Sequence, residues 1–143
     1  MLGGLGTGII SAADEFAGIG ARLAGRTGSE AVEDFAKRNL PRRFSRYMAE
    51  AELRAVQETG LLRGGRPGTT YFTTNKYRTR QSAVRFLSLP NTPDVRVDFK
   101  ILNNPRIFGP MRVDPDFGQP GGGIQYWSDD PVAVRILRIA NLR

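Results

Sequence analysis

Val95-Arg96-Val97-Asp98-Phe99-Lys100-Ile101 is the stretch that decides the fold class. Apolar and charged residues alternate along it, and successive strand side chains point to opposite faces, so it reads as a half-buried strand. Upstream, residues 44–48 form a short strand and residues 69–74, β-branched and aromatic, another. Between them residues 49–59 carry helix formers, with Ala51, Leu53, Ala55 and Val56 as apolar positions and Gly60 as a natural stop. Residues 63–68 are a turn or loop. A second helix is expected from about Asn75 to Ser88, ending before Pro90. Residues 103–123 contain Pro105, Pro110, Pro115 and Pro120 and read as a long loop with one short strand. Residues 125–128 and 132–139 close the chain as strands. Helices come early and strands dominate later, without an internal repeat, which argues for an α+β fold with antiparallel pairing rather than a doubly wound sheet.

Residues 1–40 differ in texture. They are rich in Gly and Ala, with helical pieces expected around 11–23 and, after Ser29 as N-cap, around 30–39. Pro41 marks a boundary, so the chain divides into a connector over 1–40 and one domain over 41–143, the count that 143 residues suggest. No apolar run is long enough to span a bilayer, and no secretory signal is visible at the start.

The formal charge is +7, and of the 21 basic residues only Lys37, Lys76 and Lys100 are lysine. Arginine's planar fork suits phosphate and carboxylate, so this balance favours a nucleotide, RNA or an acidic protein surface. Solubility and internal ion pairs are the plainer explanation. The chain has no cysteine and no histidine. That removes disulfides, thiol nucleophiles, structural zinc and every histidine-based triad, and with them histidine-dependent ribonucleases. No metal is expected. Carboxylates, arginine, lysine, tyrosine and hydroxyls remain for chemistry.

Three segments can carry it. Arg46 lies on a strand between Phe44 and Tyr47, where a guanidinium can hold a phosphate or ribose, although an exposed strand arginine is the simpler alternative. In Thr69-Thr70-Tyr71-Phe72-Thr73-Thr74, Tyr71 and Thr73 share a face, and a tyrosine exposed there can stack on a planar ligand; a core strand with one aromatic face is the alternative. Gly121-Gly122-Gly123-Ile124-Gln125-Tyr126-Trp127 combines a flexible backbone edge, able to approach a ligand closely, with one polar side chain at the start of a strand. A glycine-rich hairpin explains it equally well. Asp114, Asp116, Asp129 and Asp130 fit turn chemistry better than catalysis. Residues 64–68 lack the pattern of a phosphate-binding loop.

Taken in order, Arg46, the strand with Tyr71 and Thr73, and Gln125 resemble the mono-ADP-ribosyltransferase toxin fold. The closer likeness is to C-terminal toxin domains of bacterial Rhs-type polymorphic toxins. It rests on Arg46-Tyr47-Met48, Glu58-Thr59-Gly60-Leu61-Leu62-Arg63-Gly64-Gly65, Gly68-Thr69-Thr70-Tyr71-Phe72-Thr73, Leu87-Ser88-Leu89-Pro90-Asn91, Asn103-Asn104-Pro105 and Pro120-Gly121-Gly122-Gly123. The resemblance covers roughly residues 44–142. It implies a split antiparallel β-sheet core with flanking helices, and NAD as substrate. It implies that Arg46 holds the NAD phosphate or nicotinamide-side ribose, and that Tyr71 and Thr73 shape the nicotinamide pocket. Tyr77 adds stacking, with Tyr47 and Phe72 also among the cofactor-binding residues. Residues 114–123 would contact the target. The catalytic group stands at Gln125, beside Arg46 and Tyr71.

The family places a glutamate at that position. Breaking the nicotinamide–ribose bond develops positive charge on the sugar, which a carboxylate stabilises more in the transition state than in the ground state. Gln125 is then either a deliberate Glu→Gln change that disarms a lethal toxin or a natural variant, and the intact surroundings favour the first. The resemblance also implies a secreted antibacterial effector, delivered into the cytoplasm of a target bacterium, that modifies elongation factor Tu or, as the main alternative, structured RNA. A cognate acidic immunity protein, and no membrane partner, go with it. A histidine-free ribonuclease toxin and a non-catalytic interaction domain are the competing classes.

Overall fold

In the computed structural model the alternating stretch is β3 (Val95–Ile101), the middle strand of an antiparallel sheet between β1 (Arg43–Met48) and β6 (Val134–Asn141). The structure describes residues 42–143; the connector expected over residues 1–40, with its helical pieces and the boundary at Pro41, lies outside them. A second antiparallel sheet has β5 (Ile124–Ser128) between β2 (Thr70–Phe72) and β4 (Phe108–Arg112). The two three-stranded sheets meet at a single antiparallel bridge. There Ser45 N donates to Thr73 O at 2.7 Å and Thr73 N donates to Ser45 O at 2.8 Å. The expected α+β fold with antiparallel pairing is the observed one.

A helix covers each face of this split sheet. α1 (Glu50–Thr59) packs Leu53 and Val56 onto a cluster with Phe44, Met48, Phe72, Val97, Phe99 and Tyr126. It ends at Gly60, whose φ of 73° is left-handed, the conformation in which glycine needs no steric compensation. α2 (Arg80–Leu87) packs Ala83 and Leu87 onto a second cluster with Tyr47, Tyr71, Phe108, Val113 and Trp127.

The structure departs from the sequence reading in several places. β3 is buried on both faces rather than half-buried. Its charged residues tolerate this because Arg96 Nε and Nη2 donate to Asp98 Oδ1 and Oδ2 at 2.9 and 3.2 Å, and Ser45 Oγ donates to Asp98 Oδ1 at 2.6 Å. Buried charges persist when they are paired and hydrogen-bonded. The second helix begins at Arg80, not near Asn75. Thr79 caps it, its hydroxyl accepting from Ser82 N at 3.1 Å. Residues 75–79 stay outside the helix because groups that a helix would use are bound elsewhere: Asn75 O accepts from Tyr47 Oη, and Tyr77 N donates to Tyr47 Oη. The strand expected over 69–74 shortens to Thr70–Phe72, and the closing strand shifts to Val134–Asn141.

Arg46 is the largest correction. It is 3% exposed, neither a surface arginine nor one open to a ligand. Its Nε and Nη2 donate to Glu52 Oε2 and Oε1 at 2.6 and 3.2 Å, and its Nη1 donates to Tyr71 O at 2.7 Å. One guanidinium thus ties β1 to α1 and to β2. Breaking a buried pair by removing one partner strands the other charge and costs about 3–5 kcal/mol. Glu52→Ala is therefore expected to lower the unfolding free energy by about that much, and Arg46→Met/Glu52→Leu to recover part of it, measured by urea denaturation. A loss below about 1 kcal/mol for Glu52→Ala would contradict the role assigned to the pair.

Candidate functional site

β5 fixes the position of the polar side chain that the sequence singles out. Its register pairs Trp127 with Tyr71 and Phe108, Tyr126 with Phe72, and Gln125 with Met111. Because side chains alternate, Gln125, Trp127, Tyr71 and Thr73 share one face, which continues across the bridge through Ser45 and Tyr47. Phe72, Tyr126, Phe44 and Arg46 lie on the opposite face. The structure therefore brings Gln125, Tyr71, Thr73 and Tyr47 together and sets Arg46 and Phe72 apart from them. Tyr77 joins the first group, its ring 5.9 Å from that of Tyr47 and stacked at 5.5 Å on Phe86.

Gln125 is 1% exposed, and its Oε1 is buried with no hydrogen-bond donor. A buried polar atom left unsatisfied costs about 1–3 kcal/mol, which a ligand's donor would recover. Tyr71 is also buried, at 2% exposure, with its ring 6.0 Å from Trp127, which in turn stacks on Phe108 at 5.8 Å. It does not offer the exposed stacking face expected of it, because α2 covers that side with Ala83 and Leu87.

The glycines before Gln125 form no flexible edge. Gly121 N donates to Arg85 O at 3.0 Å and Gly123 N to Phe86 O at 2.9 Å, so the segment is fastened to the last turn of α2. Gly122 N donates to Val113 O at 2.9 Å, and Val113 N to Gly123 O at 2.8 Å. A Cβ on Gly121 would come within 2.5 Å of Val113 O, and one on Gly123 within 2.9 Å of Leu87 Cδ2 and of the Tyr77 hydroxyl. The close approach that glycine permits here is to the protein's own backbone and side chains. The aspartates behave as turn residues: Asp116 and Gln119 exchange backbone hydrogen bonds at 3.1 and 2.8 Å, and Asp130 Oδ2 accepts from Arg106 N at 2.8 Å.

Asn75 organises this side of the sheet, and sequence reasoning placed it inside a helix. Its Oδ1 accepts from Ile124 N at 2.8 Å, next to Gln125, and its N donates to Thr73 Oγ1 at 3.0 Å. Tyr47 Oη donates to Asn75 O at 2.8 Å and accepts from Tyr77 N at 2.6 Å. A threonine two residues before an asparagine is the usable sequence signal, since both side chains favour local turns over helix. Burial pushes the Tyr47 phenol up to about 12, partly opposed by the Tyr77 hydrogen bond.

Beyond the 75–79 segment lie two adjoining cavities. The larger, about 460 Å³, is lined by Lys76, Tyr77, Arg78, Arg96, Arg138 and Arg143. The smaller, about 260 Å³, shares Lys76 and Arg138 and adds Arg43, Ser45, Asp98 and Leu137. Among the described residues no cluster of acidic side chains suits a metal ion, and no helix is long and apolar enough to cross a membrane.

No protein-family model and no curated protein matches this chain. A solved structure of Tne2 in complex with Tni2 is similar in fold, with a TM-score of 0.56 at 15% sequence identity. The likeness covers 71% of this chain and 84% of the matched chain in that structure.

Two stability measurements check the site. The folded-state pKa of Tyr47 lies above its ordinary value of 10, so its contribution is complete below pH 10 and is lost as pH rises towards 12. Tyr47→Phe is expected to flatten part of that alkaline loss in pH-resolved thermal unfolding. Tyr77 and Tyr126, also raised by burial, retain the remainder. Gln125→Glu places a carboxyl where burial raises its folded pKa. It should match the parent chain at acid pH, lose stability as pH rises above about 4.3, and be about 2–4 kcal/mol less stable at neutral pH. A pH-independent difference would mean that water reaches residue 125.

Proposed function

We propose that this chain is the toxic domain of an antibacterial effector that breaks the nicotinamide–ribose bond of NAD. The ADP-ribose goes to a component of the translation machinery, elongation factor Tu first and structured RNA second. The reading rests on the buried, undonated Oε1 of Gln125, on the face that also holds Tyr71, Thr73 and Tyr47. An amide oxygen aimed at developing positive charge on the ribose, or accepting from a ribose hydroxyl, acts as a preorganised dipole. Because Arg46 is occupied by Glu52 and Tyr71 O, phosphate binding falls to other cations.

The burial of residue 125 bears on its identity. A glutamate at 1% exposure with no cation held against it would favour its neutral form. Glutamine fits that environment without such a shift, which favours it as the working residue over a disarmed carboxylate. Support for an effector comes from the fold likeness to Tne2, which was solved with Tni2 bound. We read the present chain as having a cognate partner of its own, an acidic immunity protein suited to a net charge of +7. Delivery as the end of an Rhs-type protein into a competitor's cytoplasm belongs to the same reading.

The test is incubation of the chain with labelled NAD and a bacterial lysate, following nicotinamide release and the fate of the label. The unsubstituted chain is expected to consume NAD. Gln125→Ala should lower the rate on the order of a hundred- to thousandfold, measured well below its own thermal midpoint, which the cavity left by a buried side chain will lower. Label in protein, in RNA or in free ADP-ribose identifies the acceptor as protein, nucleic acid or water. A gain of rate in Gln125→Glu would instead mark the resident glutamine as disarmed. Failure of both forms to consume NAD overturns the proposal, and RNA fragmentation without NAD would replace it with the ribonuclease reading.

A further inference from the structure

We propose that the larger basic cavity is a diphosphate subsite, with the smaller cavity beside it receiving the adjoining sugar. In assigning the diphosphate to NAD the inference rests on the function proposed above. Lys76, Arg78, Arg96, Arg138 and Arg143 line one cavity of about 460 Å³, within the range of small-ligand pockets, and no aspartate or glutamate side chain lines it with them. Arg96 alone of these five is, among the described residues, paired with a carboxylate side chain, that of Asp98. Among the described residues Lys76, Arg78, Arg138 and Arg143 have no ion-pair partner. Like charges gathered around a concavity repel one another and focus a positive potential into it, and a bound polyanion relieves both.

The arrangement is held from below. Arg96 is 6% exposed, and its Nη1 donates to Tyr77 O at 3.1 Å, so the floor of the cavity and the strip that carries Lys76 and Arg78 are one hydrogen-bonded unit. Arg143 N donates to Arg78 O at 3.2 Å and Arg80 N to Arg143 O at 2.9 Å, which closes the far wall. In register, Arg138 stands opposite Asp98, but that carboxylate is already taken up by Arg96 and Ser45, leaving the Arg138 guanidinium for a ligand. The smaller cavity is lined by Ser45 and Asp98, hydrogen-bonded to each other, and shares Lys76 and Arg138 with the larger one. A diphosphate seated between those two cations would place its sugar beside Ser45, on the sheet face that carries Gln125. Asn75 spans the same interval, since its neighbour Lys76 lines the cavity and its Oδ1 holds Ile124 N.

The test uses the full chain and inorganic pyrophosphate as probe, by calorimetric titration at low and at physiological salt. Lys76→Ala/Arg138→Ala removes two exposed cations, so the thermal midpoint should hold while pyrophosphate affinity falls about tenfold or more. Arg54→Ala, which removes a cation from the exposed α1 surface 3.9 Å from Glu50, should leave affinity unchanged. No pyrophosphate binding, equal binding by the double variant, or equal affinity for orthophosphate overturns the subsite. So does loss of single-stranded RNA binding in the double variant without any pyrophosphate binding, which would make the surface a nucleic-acid contact. NAD turnover separates the two claims. A raised KM with kcat held in the double variant supports the subsite, and an unchanged KM overturns it while NAD cleavage stands. Pyrophosphate binding that the double variant loses, with no NAD turnover by any form, leaves the subsite and removes NAD as its ligand.

Discussion

The ion pair between Arg46 and Glu52 is the constraint on which the rest of the structure depends. A guanidinium and a carboxylate, 3% and 1% exposed, are held inside a small domain by one bidentate contact and a third bond to Tyr71 O. Uncompensated, either charge would be expelled or would unfold its surroundings. Compensated, the pair fixes α1 against β1 and sets where β2 runs. β5 then takes its register from β2 through Tyr71 and Trp127, and Gln125 takes its place from β5. The position of one amide is thereby referred back to a charge pair on the other side of the sheet.

The order of elements was legible in the sequence because it rests on local patterns. The alternation at 95–101, the helix stopped by Gly60 and the strand after the glycines all occupy the positions their residues suggest. What was not legible is how each element is covered. Arg46 reads as a ligand-binding residue until Glu52 is seen to fold back on it. At the sequence level Glu52 is only one more helix former in a first turn, since a fold-back contact six residues away leaves no periodic trace. Tyr71 reads as accessible because alternation predicts two faces, and nothing in residues 69–74 says that a helix starting at Arg80 will cover one of them. Arg96 and Asp98 were placed in solvent for the same reason. They neutralise each other at spacing two, where strand geometry puts both on one face, and so remain buried.

The candidate site follows the same division. The sequence singles out Gln125, Tyr71, Thr73, Tyr47 and Tyr77 together with Arg46 and Phe72; the first five share one side of the sheet and the last two lie on the other, a division that order along the chain does not reveal. Those five side chains are neutral groups in a largely buried, aromatic setting, and burial raises the pKa of the Tyr47 phenol to about 12. Formal positive charge sits apart, in a basin lined from β6 and the 76–78 strip. A neutral interior therefore lies beside a cationic basin. On the function proposed above, holding the phosphate, which was expected of the first-strand arginine, would fall to the exposed cations of that basin, and polarising the bond would fall to the uncharged amide of Gln125.

The segment from Val113 to Gly123 has a consequence for how such a domain can diversify. Its two ends are joined to each other by backbone hydrogen bonds and fastened to the end of α2, while its tip closes on itself between Asp116 and Gln119. Between those anchors the chain exposes Phe117 and carries no part of either core cluster. A loop built this way is a replaceable cassette. Residues 115–119 can change in length or character while Gln125 keeps its place, because the anchors that hold the strand start lie outside them.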